Sequence, residues 1–154
     1  MAMIIGTSIG NDSKVSPDKF KAYKHFANKL WNIARYILSK MTNEELRMTN
    51  QFENEIMTKT RMLAQEVTED MDDFKFYLAA EKLYHFIWHE YADKYIEESK
   101  DKSDPKTFFI LHSSFVILLR LLHPFMPFVT EEIWGKLPSW EGKKLLIIEE
   151  WPNQ

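Results

Sequence analysis

The sequence predicts an all-α protein: an antiparallel helical bundle of four main helices and a short fifth, with short extended tails. Three observations carry this. Apolar side chains recur at three- and four-residue intervals through most of the chain. Two segments open on a polar cap followed at once by proline, at Ser16-Pro17 and Asp104-Pro105. The second of these segments leads into a helix, Thr107 to Leu122, that is apolar nearly all round, as a helix in the centre of a bundle must be. The 154 residues, with 45% hydrophobic and 28% charged, fit one domain: a connecting segment over about 1–15, a helical bundle over 16–136 and an extended tail over 137–154.

The opening residues through Asp12, with Gly6 and Gly10, read as a loop or extended segment. Ser16, Pro17 and Asp18 then combine a cap, a ring whose φ is already helical and a carboxylate at the positive end of the dipole. Phe20, Tyr23, Phe26, Leu30, Trp31, Ala34 and Ile37 keep helical spacing to about Lys40. Thr42 or Asn43 is expected to cap the next segment, which Glu44 and Glu45 open. Phe52, Ile56, Leu63 and Val67 share a stripe, predicting a second long helix to about Asp70. Asp72 and Asp73 are expected to restart the chain into a third helix from Phe74 to about Lys100, and Asp104 into a fourth that ends at Leu122. Pro124 and Pro127 break that helix, a short amphipathic one follows from about Phe128 to Lys136, and Leu145 to Glu150 reads as a small strand or extended tail.

A net charge of −3 conceals an uneven distribution. Lys14 to Lys40 carries seven basic residues against Asp18 alone, whereas Met41 to Asp104 carries 8 basic and 16 acidic residues. A basic helix on an acidic body steers a polyanion to one face. The absence of cysteine excludes disulfides, Cys-ligated zinc and thiolate catalysis. Four glycines leave little room for a phosphate-cradling loop. No apolar run is read as long enough to span a membrane and no secretory signature opens the chain, so a soluble, cytoplasmic protein without a membrane partner is expected.

Two polar constellations stand out. Glu81, His85, His89, Asp93 and Glu97 recur every four residues, and His89 with Asp93 has the frame of a zincin helix carrying Asp where the second His belongs. Without a third ligand elsewhere, the stripe is read as a structural polar face and no metal is expected. Asn28, Asn32 and Arg35 lie among aromatic residues on the first helix, and a structural polar network is expected between them and Asp93 and Glu97 on the third. No catalytic constellation is found: adjacent acidic pairs such as Glu97-Glu98 point in different directions on a helix.

Leu122-His123-Pro124-Phe125-Met126-Pro127-Phe128-Val129-Thr130-Glu131-Glu132-Ile133-Trp134 resembles a segment of the C-terminal helical domain of class I aminoacyl-tRNA synthetases. Physically it is a helix end, a double proline kink, a Thr N-cap and two acids opening a new helix. The stretches Phe26 to Tyr36 and Tyr84 to Glu97 are similar to helices of the anticodon-binding region of the valyl members, and Gly6 to Asp12 resembles the strand-and-loop that follows their catalytic core, with isoleucyl and leucyl members the alternatives. The resemblance covers nearly the whole chain and is weakest between Met41 and Val67.

The resemblance implies a part of a longer ligase that joins an amino acid to tRNA, with ATP and Mg held in a catalytic domain whose motifs this chain lacks. It implies tRNA, through its anticodon stem-loop, and that catalytic domain as partners, no cofactor in this portion, and a monomer when isolated. On the matching elements, Lys29, Arg35, Tyr36, Lys40 and Lys100 are the tRNA-binding candidates, with Tyr36 placed to stack on a base. A helical protein-interaction module with no RNA role is the reading from a different class.

Overall fold

The computed structural model describes residues 1, 4–5, 17–41, 54–138 and 143–152, and among them the protein is helical with no strand. The helices are α1 (Pro17–Lys40), α2 (Glu55–Asp72), α3 (Phe76–His85), α4 (Glu97–Ser99), α5 (Pro105–Leu122) and α6 (Pro127–Lys136). The cap expected at Thr42 or Asn43, the Ser16 cap and the loop through Asp12 lie outside the described residues.

One apolar cluster joins all the long helices. α1 contributes Phe26, Leu30, Ile33 and Ile37, and α2 contributes Ile56, Leu63 and Val67. Ala79, Ala80 and Leu83 come from α3, and Ile133 and Trp134 from α6. α5 sits against α1, α2, α3 and α6. It is 18 residues long with a mean hydropathy of 1.4, so by length and composition it reaches the membrane-spanning range that the sequence reading denied it. In the fold, 61% of it is buried, and bundle neighbours rather than lipid cover its apolar sides. Its start follows the sequence closely: the Asp104 carboxylate accepts from the backbone N–H groups of Lys106 and Thr107, each at 3.1 Å, and Pro105 takes the first turn.

The third predicted helix differs at both ends and in the middle. Asp73 closes α2 instead of opening α3: the Lys75 N–H reaches Asp70 O at 2.7 Å and the Phe74 N–H reaches Met71 O at 3.1 Å. These two bonds form a Schellman cap, with Phe74 at φ 58° in the position that favours glycine. From Phe86 to Ile96 the rod is π-helical, and α4 completes it without a break in αR geometry. Inside this stretch the buried Tyr91 hydroxyl donates to Leu111 O at 2.5 Å, tying the π segment to α5, and burial pushes the phenol's pKa up.

α6 opens at Pro127 with Met126 as its cap residue, so Thr130 is not an N-cap. Its hydroxyl, one turn in, donates back to Met126 O at 2.9 Å and lies 2.8 Å from His123 Nδ1. Glu131, expected to open the helix, instead accepts from the Leu146 and Ile147 N–H groups at 2.9 and 3.2 Å, capping a 3₁₀ turn at Leu146–Ile148 where a strand was an option. The tail is bound down by Trp134 Nε1 donating to Lys144 O at 2.9 Å and Trp151 Nε1 donating to Thr68 Oγ1 at 2.8 Å.

Candidate nucleic-acid interface

α1 has two polar borders with opposite fates. On the border facing the π segment, the cations are used within the fold. Lys29 donates to Asp93 Oδ1 at 2.8 Å and sits 5.4 Å above the Trp88 ring, which itself stacks on Tyr84 and Phe26 at 5.7 and 6.2 Å. Tyr36 is half-buried, with its hydroxyl 2.9 Å from Ser99 Oγ and its ring 6.3 Å edge-on to Phe108. Lys100 donates to Glu97 Oε2 at 2.6 Å. The Tyr36–Ser99 contact brings the end of α1, with Arg35 and Lys40, to the same end of the bundle as Lys100.

The polar network expected from Arg35 does not form. Asn28, Asn32 and Arg35 are all exposed, as are Asp93 and Glu97. Asp93 takes Lys29 and Glu97 takes Lys100, and among the described residues Arg35 has no carboxylate partner. The error lies in the rotation of α1. Phe26, Leu30 and Ile33 fix the buried side, and Arg35 falls opposite to it.

Arg35 lies instead on an outward stripe. Lys21, His25, Asn28, Asn32, Arg35 and Ser39 follow one another at three- and four-residue steps, Lys24 lies beside His25 one turn before Asn28, and all seven are exposed. The stripe runs about 27 Å at 1.5 Å per residue. Between Lys19 and Met41 the sequence has no acidic residue, and Lys21 has only a loose 4.0 Å contact with Asp18. Every side chain on the stripe is therefore a cation or a neutral group able to donate a hydrogen bond, which suits a row of phosphates. Lys21, Lys24 and His25 are absent from the candidates drawn from the sequence, although their spacing and the lack of acids are legible in it.

Elsewhere the ionisable groups serve the fold. His85 and His89 are exposed with ring centroids 4.8 Å apart, and His89 Nδ1 is 3.9 Å from Asp93 Oδ2. Among the described residues no group of three or more His, Asp or Glu could hold a metal ion. Glu55, at the start of α2, accepts from Tyr95, Lys94 and Lys59, and these contacts hold its pKa down to about 2. His112 is buried beside α5's neighbours with its Nε2 unpartnered, and desolvation, aided by the Lys143 charge, lowers its pKa to about 4.

A basic outer stripe at one side of a helical bundle agrees with what the comparisons with known proteins return. Residues 53–154 match the family model described as the anticodon-binding domain of tRNA ligase. The chain belongs to that family. Over 96% of its length it is 34% identical to a valine–tRNA ligase of Aquifex aeolicus, of which it covers 15%. Over 94% it is 38% identical to a valine–tRNA ligase of Petrotoga mobilis and 37% identical to that of Thermotoga maritima, covering 18% and 17% of them. The chain thus spans less than a fifth of these curated relatives. The relatives are enzymes by name, and this chain, helical among its described residues, covers only a small part of each.

Proposed function

We propose that this domain binds the anticodon stem-loop of a valine tRNA in the cytoplasm, as the RNA-docking part of a valine–tRNA ligase. The ATP- and Mg-dependent aminoacylation belongs to the catalytic domain it works with, and this chain supplies no reacting group. The observation that carries the reading is the acid-free outward stripe of α1 on a domain of this family. Lys21, Lys24 and Arg35 neutralise phosphates, which contributes affinity without reading sequence. The end of the bundle formed by Arg35, Tyr36 and Lys40, with Lys100 held beside them by Glu97, is where unstacked loop bases meet an aromatic ring and donors. Lys29, held by Asp93, acts by fixing α1 against the π segment rather than by touching RNA.

The test is a salt series of tRNA titrations on the chain and on a Lys24→Ala/Arg35→Ala variant. The slope of log affinity against log salt should fall by about 0.7–0.9 for each lost contact. An unchanged slope rules out the stripe as the phosphate face, and a wild-type chain that leaves tRNA unbound overturns the RNA reading altogether.

A further inference from the structure

α2 and the rod facing it, α3 with the start of the π segment, leave between them a cleft of about 510 Å³. Its floor is apolar, made by Leu63 from α2 and by Leu78 and Phe86 from the facing rod. Met62 is 59% exposed at the lip, an uncommon place for a large flexible apolar side chain. Ion pairs from α2 cross the cleft, one to the π segment and the others to α3. At one end Lys59 bonds Glu90 at 2.9 Å, and at the other Lys82 bonds Asp70 at 2.8 Å and Glu66 at 3.3 Å. Both lining cations are thereby used. Glu81, exposed on the wall between them, has no cationic partner among the described residues. The surroundings share this sign: from Asn54 to Glu90 there are eight acidic residues against four basic ones.

We infer that this cleft is a second docking site, for a partner protein helix that presents a large apolar side chain with Lys or Arg one turn away. The apolar side chain fills the space over Met62, Leu78 and Phe86, and the cation meets Glu81. The negative surroundings repel a polyanion, so the site is separate from the RNA face on α1. The size lies in the range of sites that bury a ligand, and the mobile thioether at the lip lets the floor adapt to the incoming group. The two crossing ion pairs hold the walls, so α2 and α3 need not move to admit it.

The test uses the full chain and a fluorescein-labelled amphipathic helical peptide of Leu, Ala and Lys, with a scrambled peptide of equal composition as control. Binding should require the amphipathic order. Met62→Glu, at an exposed position, should weaken it about tenfold even though the added negative charge attracts a basic peptide. Glu81→Lys should weaken it comparably, and both variants should bind tRNA as the unmodified chain does. Equal binding of the scrambled peptide, binding that strengthens in Met62→Glu, or no binding of the ordered peptide overturns the inference. None of these outcomes bears on the RNA reading, which the tRNA titration of the same variants reports separately.

Discussion

Phe74 and His112 are the residues at which local chemistry and fold pull apart. Phe74 holds a left-handed backbone at φ 58° with its ring 75% exposed, so the Schellman cap bears strain that little packing offsets. Phe74→Gly should therefore raise stability by about 0.5–1 kcal/mol, the relief of the side-chain clash less glycine's greater entropy loss, read from denaturant midpoints. His112 is neutral in the fold because burial lowers its pKa from 6.5 to about 4. The unfolded chain binds this proton more readily, so the contribution is complete above pH 6.5 and is lost as pH falls toward 4. The loss reaches about 3 kcal/mol, and His112→Gln should flatten the stability profile across that window. Arg35 is a third such test: exposed and without a carboxylate partner among the described residues, it should change stability by less than about 0.5 kcal/mol as Arg35→Ala. The buried-pair alternative required a loss of about 3–5 kcal/mol. Urea unfolding of that one variant separates the two.

The elements show how far periodicity carries. α5 is legible because an apolar run bounded by Asp104-Pro105 and Pro124 has a start and a stop, although the helix begins at Pro105 rather than at Thr107, where the apolar pattern sets in. Removing its cap as Asp104→Ala should cost about 1 kcal/mol in thermal or denaturant unfolding. The boundary between α2 and α3 is misread because Asp72-Asp73 has the composition of a helix start, whereas Asp73 closes α2 and the left-handed turn falls on an aromatic. The π stretch from Phe86 to Ile96 leaves no mark in composition, since it is defined by which carbonyl each N–H finds. It does explain the polar stripe: a turn closed over one more residue keeps His85, His89, Asp93 and Glu97 nearly in line, and all four are exposed. The basic helix was legible as an element, but its outward face was not assigned, because choosing between Lys24 and Lys29 requires knowing which carboxylate stands opposite. Asp93 comes from 64 residues further along the chain.

At the scale of the whole molecule, the fold separates charge that the sequence only concentrates. Lys29 and Lys100 are bound to carboxylates at the α1–rod border, and the α2–α3 side carries an excess of acids, whereas the outer face of α1 is a positive surface among the described residues. Under the proposed function, that arrangement orients a polyanion before any base is touched, and docking on α1 presents the loop bases to the Tyr36 end of the bundle. The most direct measurement is a titration of the chain with a valine tRNA and with the same tRNA altered at the middle anticodon base, under one salt condition. The natural loop should bind tighter by about tenfold, equivalent to ~1.4 kcal/mol, a preference that Tyr36→Ala reduces. Equal affinity for the two tRNAs would contradict base reading by this domain and leave a surface that holds phosphates alone.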